Sequence, residues 1–347
     1  MKSFFLAIGT FTDGAPYFHA GGRGLGFVEF DPVDGRYTGG VRWVPVFNPS
    51  YVIAGGARRV VVVSERYDRA GAVSLVDTGD GAVIWEASSR ALATCHSALL
   101  PGGRAVAAAN YSSGSVVVLG TENGAFVAEC TYEGRGAHPE RQDMSHPHQC
   151  VVSPGGGWLL VPDLGCDAVW AHRIVDGIPD SKAVANRTAS GTGPRHLVFH
   201  SDGKMVSALG ELDGVVHTGR WDEEIGRIDW VADLPTVSGC EPPHASGSAI
   251  KAHPCLPVIY AANRSRHDLA VMRVGSGGLP TLVGRIDPGV KVPRDFAVSP
   301  DGRWLLVAGQ ESGGVVVFPL DEQTGLASGP RGDVLDAVSP VCLAWVA

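Results

Sequence analysis

Short apolar runs of five or six residues recur along this chain in pairs, each pair separated by a Gly- or Asp-centred turn. The clearest pair is Gly193–Leu212, GPRHLVFHSDGKMVSALGEL. Leu197, Val198 and Phe199 read as a first strand, Ser201-Asp202-Gly203 as a turn, and Met205–Leu209 as a second strand. The polar residues sit at the ends: Arg195 and His196 at the entry of the first strand, Glu211 at the exit of the second. A hairpin brings its open ends together, so a guanidinium, an imidazole and a carboxylate are predicted to meet at one rim.

The same layout starts at Asn48, Thr94, His146, Gly193, Gly247 and Val292, with successive spacings of 46, 52, 47, 54 and 45 residues. Paired strands at such a period are the signature of propeller blades. A third apolar strand follows each pair, as at Ala72–Val76, Ser115–Leu119 and Ala168–His172, and then usually a weaker fourth. The N-terminal FFLAIGTF and GLGFVEFDPVDGRYTG supply the later strands of a seventh unit, and its first strand is Ser339–Ala344 at the other end of the chain. The termini are therefore predicted to share one blade, which removes the free sheet edge. The fold class that follows is all-β: one domain over residues 1–347, a seven-bladed β-propeller of four-stranded antiparallel blades.

Composition narrows the partners. The 347 residues are 44% hydrophobic and 18% charged, with 47 Gly, which suits short strands and tight turns. A net charge of -8 argues against a nucleic-acid or anionic-membrane partner, and no stretch approaches the roughly 20 apolar residues of a membrane span. MKSFFLAIGTF is expected to be the first strand, because its apolar run covers only Phe4–Ile8, too short for a signal peptide. Seven cysteines without C-x-x-C spacing suggest reduced thiols and a cytoplasmic location. A monomer or weak homo-oligomer is expected.

In a propeller the first strand of each blade lines the central channel and enters from one face. Ser50 with Glu65, His96 with Asn110, and His148 with Asp163 are thus expected to converge there. So are Arg195, His196 and Glu211, Asn263 and Arg264, and Arg294, Asp295 and Gln310. Such a set binds anions and transfers protons. Ser50, Asn110 and Asp163 taken singly read as turn or blade-to-blade hydrogen-bonding residues; His19, His172, His200, His217, His253 and His267 read as structural. Arg195, Arg264 and Arg294 would repel one another unless carboxylates or an anion neutralise them. The insertions Glu133–Ser145 and Pro235–Ser246 should arch over the same face, the first bringing Arg135, His138, Arg141 and Gln142. There is no G-x-S-x-G, H-E-x-x-H or Walker motif, and His146-Pro147-His148 lacks an evident third metal ligand. Neither metal nor cofactor is expected.

Several strings are more specific than blade grammar: IGTFT, NPSYV, CH followed by ANYSSGSV, RQ…HPH followed by LVPDLGCDAV, GTGPRHLVFHSDGK, GELD, AANR and VPRDFAVSPDGRWLLVAGQES. On these, across nearly the whole chain, the sequence resembles the lactonase family of seven-bladed propellers, the bacterial 6-phosphogluconolactonase type. That family also includes carboxymuconate cyclases. Carried over by motif, the resemblance implies a site of His148, Arg195, Glu211, Arg264 and Arg294, with Arg141, His96 and His196 nearby. The sequence departs from the family pattern at Gly210 and Gly309, where asparagine is expected, and at Ala249, where glutamate is frequent.

The activity implied is hydrolysis of a sugar-derived, anionic lactone without a redox cofactor. His148 or Glu211 would activate water, Arg195 or Arg264 would stabilise the oxyanion, and the remaining arginines would grip a phosphate or carboxylate. The alternatives are a cycloisomerase acting on a polycarboxylate, and a non-catalytic propeller that binds a partner on the same face.

Overall fold

The computed structural model describes residues 3–14, 20–237, 246–329 and 331–346. They form seven four-stranded antiparallel sheets. Six are meanders in chain order, and the seventh pairs Pro340–Val346, Phe4–Thr10, Leu25–Asp31 and Arg36–Val44 in that spatial order. The predicted exchange of terminal strands is what closes the ring. Helix among the described residues is confined to the single turn Tyr111–Ser113, and none is long and apolar enough to cross a membrane. The six described cysteines are free thiols, all buried except Cys255; His19 and Cys240, like the middle of the second insertion, lie outside the described residues.

Burial follows strand position. Second strands such as Arg59–Ser64, RVVVVS, are sandwiched between neighbouring blades and buried on both faces, so they read as unbroken apolar runs. Outermost strands such as Val83–Ser88 are half-exposed. The core is a set of apolar layers between blades. At the closure, fully buried Phe30 meets Tyr37, Trp304 and Trp345 edge to face at centroid distances of 5.7, 6.3 and 5.5 Å. These rings come from both ends of the chain and from the blade Pro293–Leu335.

One backbone device repeats in every blade and builds the mouth of the channel. The first residue after each second strand donates its N–H to the carbonyl of the residue preceding the innermost strand. Glu65 bonds Asn48, Tyr111 bonds Ala93, Glu211 bonds Gly193 and Gln310 bonds Val292, at 2.9–3.0 Å. Phe11 to Ser339, Leu164 to His146 and Arg264 to Ser246 complete the set. Asn48, Ala93, Gly193, Val292 and Ser339 all adopt positive φ, between 38° and 58°. Glycine takes this conformation freely; for β-branched Val292 it is strained.

The register then slips around the second residue of the innermost strand, as at Pro49/Tyr51, Thr94/His96, Pro194/His196 and Pro293/Asp295. Such a bulge takes one residue out of the ladder and re-aims its side chain. The residues so released are Ser50, Cys95, Arg195 and Arg294.

Truncating Phe30 to alanine at the closure should destabilise the protein by about 3–5 kcal/mol, as for other buried aromatic-to-alanine changes. Urea denaturation measures this, and a loss below about 1 kcal/mol would show that the ring does not depend on this packing.

Candidate active site at the channel mouth

Two tiers of side chains ring the mouth. The upper tier comes from the residue after each second strand, and includes Glu65, Tyr111, Glu211, Arg264 and Gln310. The lower tier comes from the second residue of the innermost strand in four blades, Ser50, Cys95, Arg195 and Arg294, joined by His148 next to the isolated Pro147–Asp163 bridge of a fifth. Equivalent backbone positions thus carry different chemistry in each blade.

Glu211 is the centre of this arrangement. It is 3% exposed, yet three guanidiniums converge on it. Arg195 Nε lies 3.0 Å and Arg264 Nη2 2.9 Å from its Oε2, while Arg141 Nη2 bonds Oε1. Arg141 arrives from the insertion over the face and touches the Tyr111 hydroxyl at 3.3 Å. Arg195 is locked further by donating to the Ser248 carbonyl and to His196 Nε2. Gly210 precedes Glu211 because a Cβ there would lie 2.0 Å from the Asp213 carboxylate and 2.8 Å from the Thr192 carbonyl.

The charges do not balance, and that imbalance is informative. Burial favours the neutral acid, but Arg264, Arg141 and Arg195 outweigh it and hold Glu211 well below the usual carboxylate range. Burial, with the neighbouring Arg264, pushes the Arg195 guanidinium down despite Glu211. Arg264 is also lowered, again chiefly by burial. More exposed Arg141 is raised by Glu211. One carboxylate therefore serves three guanidiniums, and Arg294 stands near enough to act on Arg195, Arg264 and His148. A group of that composition favours an incoming anion.

Below Glu211 a cavity of about 20 Å³ is bordered by Glu65, Cys95, His148, Arg195 and Arg294 among others. This is room for about one water molecule. His148 is buried, its Nδ1 lies 3.8 Å from Cys95 Sγ, and its ring meets Tyr111 and His196 edge-on at 5.4 and 5.5 Å. Burial and then Arg195 push this imidazole well below its ordinary value, so it stays neutral. Glu65 accepts a hydrogen bond from Tyr67 at Oε1, while its buried Oε2 has no protein partner.

The sequence-predicted residues divide cleanly. Arg141, Arg195, Glu211 and Arg264 form one contact group. Arg294 sits across the cavity, over the Phe11 ring at 5.3 Å and 3.4 Å from Gln310 Oε1. His196 is a step deeper, bordering the small cavity from below. His96 occupies the same deeper step in its own blade and faces a different cavity, toward the opposite end of the channel. Its blade presents Cys95 at the mouth instead, a residue that sequence reasoning passed over. Tyr67, Tyr111 and Ser248 were also missed; Tyr111 carried a signal, since it follows Asn110 at a strand exit. Asp163 and Asn110 prove structural: Asp163 accepts from Ser145, the His146, Gly165 and Cys166 amides and the Trp170 indole. His146 is held by the Tyr111 carbonyl and Asp143. Among the described residues no group of three or more His, Cys, Asp or Glu is placed to hold a metal.

Replacing Glu211 by glutamine leaves the buried guanidiniums without their carboxylate and should cost about 3–5 kcal/mol at pH 7. Because the folded-state pKa of Glu211 lies below its ordinary 4.5, this contribution is complete above that value and fades as pH falls through the depressed one. The gap between wild type and Glu211→Gln in urea midpoint should therefore narrow at acid pH. A gap independent of pH would contradict the account.

Comparison with known proteins agrees with the geometry. The family described as Lactonase, 7-bladed beta-propeller matches residues 5–345. The 6-phosphogluconolactonase of Bacillus subtilis is 26% identical over 334 residues, which is 94% of this chain and 93% of the relative. That of Formosa agariphila is 29% identical over 234 residues, 64% of this chain and 65% of the relative. Among solved structures, the periplasmic gluconolactonase PpgL of Pseudomonas aeruginosa superposes with a TM-score of 0.88 at 29% identity, covering 100% of this chain and 99% of that one. With seven blades, an arginine-rich mouth and a family match over nearly its whole length, the chain belongs to the seven-bladed β-propeller lactonase family.

Proposed function

We propose that the protein hydrolyses a sugar-derived lactone at this mouth, in the manner of the 6-phosphogluconolactonases it is similar to. The observation that carries the reading is the overcharged arginine group on Glu211, beside a buried neutral imidazole. Lactone hydrolysis needs a base for water, charge stabilisation for the tetrahedral oxyanion, and little else.

His148 is the better base. Glu211 has both oxygens covered by its three guanidiniums, which leaves no face open to an attacking water; its role is to position the arginines. His148 takes a proton from water as the oxygen attacks the lactone carbonyl. Arg195 and Arg264 face the oxyanion. Collapse breaks the ring C–O bond, His148 returns the proton to the departing ring oxygen, and the new carboxylic acid loses a proton to solvent. Arg141 and Arg294 are placed to grip a phosphate or carboxylate on the substrate. The similarity to 6-phosphogluconolactonases and a gluconolactonase favours a polyol lactone over a polycarboxylate. The free thiols support the cytoplasm as its compartment, although one relative is periplasmic.

The test is pH-stat proton release from 6-phosphogluconolactone, unphosphorylated sugar lactones and a carboxymuconolactone. We expect enzyme-dependent release from the sugar lactones, unchanged by EDTA. Silence across the sugar lactones together with isomerisation of a muconate would overturn the reading in favour of a cycloisomerase. Arg195→Ala should lower kcat/KM by about two to three orders of magnitude, the effect of losing an oxyanion donor. An unchanged value would remove Arg195 from the site.

A further inference from the structure

The insertion 133–145 contains neither strand nor helix, yet it delivers Arg141 to one oxygen of Glu211. The Arg141 side chain is 41% exposed, so packing alone does not hold it there. The next residue anchors the loop. Gln142 is 1% exposed and uses every hydrogen-bonding group it has. Its amide donates to the His138 carbonyl at 2.9 Å, and its carbonyl accepts the Gly136 amide at 3.0 Å. Its Oε1 accepts the His138 amide at 2.9 Å, and its Nε2 donates to the Leu164 carbonyl at 2.8 Å and to Asp167 Oδ1 at 2.7 Å. The loop wraps this side chain closely, for a Cβ on Gly136 would lie 2.4 Å from Gln142 Cδ.

The two Nε2 bonds lead out of the loop and back to the mouth. Buried Asp167 accepts the Gly193 amide at the same Oδ1, at 2.8 Å, and the Gly191 amide at Oδ2, also at 2.8 Å. Gly193 in turn gives its carbonyl to the Glu211 amide at 2.9 Å. One bonded path therefore runs from Arg141 through Gln142 and Asp167 to Gly193 and Glu211. It closes where the Arg141 guanidinium meets the Glu211 carboxylate. A half-exposed ion pair alone contributes little to ordering a loop. A buried amide held on a carboxylate is charge-assisted and directional, and fixes it.

We propose that Gln142 is a positioning residue for the lactonase reaction: tied to Asp167, it holds Arg141 at Glu211, ready for the phosphate or carboxylate of an anionic lactone. The inference rests on the lactonase reading of the mouth. Gln142 is buried under its own loop and does not meet the substrate, so it acts only through Arg141. The loop and its arginine are ordered on folding rather than on binding, and such pre-organisation raises affinity. With the tie cut, each incoming substrate must order Arg141 itself. The penalty then falls on lactones that carry an anion and spares those that do not.

Gln142→Met keeps the length of the side chain and removes its hydrogen bonds. It should raise KM for 6-phosphogluconolactone about tenfold, the scale of one charge-assisted contact, with a smaller effect on kcat. KM for gluconolactone, which carries no anion, should move by less than about twofold. Arg141→Ala should show the same split between substrates. Adding Gln142→Met to Arg141→Ala should cost nothing further, because the two act as one unit. Asp167→Asn keeps the shape of its side chain but loses the charge; it should shift the same KM in the same direction, and replaces the methionine variant if that one does not fold. An equal rise in KM for both lactones, or a penalty that persists in the Arg141→Ala background, would mean that Gln142 supports the fold rather than Arg141 and would overturn the proposal. Amide hydrogen exchange across 133–145 needs no turnover: it should quicken in Gln142→Met, and unchanged exchange would also overturn the proposal. If the wild type hydrolyses no lactone, the lactonase reading fails, while the exchange result still decides whether Gln142 holds the loop.

Discussion

A single buried carboxylate organises the channel mouth of this propeller. Glu211 draws together Arg195 from its own blade, Arg264 from the next blade and Arg141 from the insertion over the mouth. Without it, guanidiniums in a low-dielectric rim would repel and turn outward. With it, they stay close, and the excess positive charge is stored rather than dispersed. Like-charge crowding is unfavourable for folding and favourable for binding an anion.

The scaffold makes that possible by repeating one backbone solution in all seven blades. A strand-exit amide pinned to a strand-entry carbonyl, followed in most blades by a bulge, fixes where each side chain emerges. The positive φ values at Asn48, Ala93, Val292 and Ser339 show that the chain tolerates local strain to keep this geometry. Because the backbone is the same from blade to blade, side-chain identity alone decides what each presents: a thiol at Cys95, an imidazole at His148, guanidiniums at Arg195 and Arg294.

The fold was legible because it is periodic. The 45- to 54-residue spacing of hairpins and the split blade follow from apolar patterning, which depends on the chain's own neighbours. The convergence of side chains at the mouth was legible to one tier. His148, Arg195, Glu211, Arg264 and Arg294 all reach the mouth, whereas His96 falls one step deeper, because the bulge makes Cys95 the equivalent of Arg195 and His96 the equivalent of His196. A one-residue offset of this kind is invisible until register is known. Arg141 was suggested by the composition of its loop, but its partner is 70 residues away. Which buried polar atoms find no partner, as with Glu65 Oε2, is a property only the assembled fold defines.

The account turns on a neutral, desolvated His148 as base beside a Glu211 that its arginines keep ionised near neutral pH. The most direct measurement is the pH dependence of kcat/KM for a sugar lactone, which reports the titrating groups of the free enzyme. Burial and Arg195 push His148 well below its ordinary 6.5, so kcat/KM should stay level as pH falls through 6.5 and decline only well below it. An acid limb centred at 6.5 or above would mean that the base is neither buried nor beside Arg195, and would contradict the assignment.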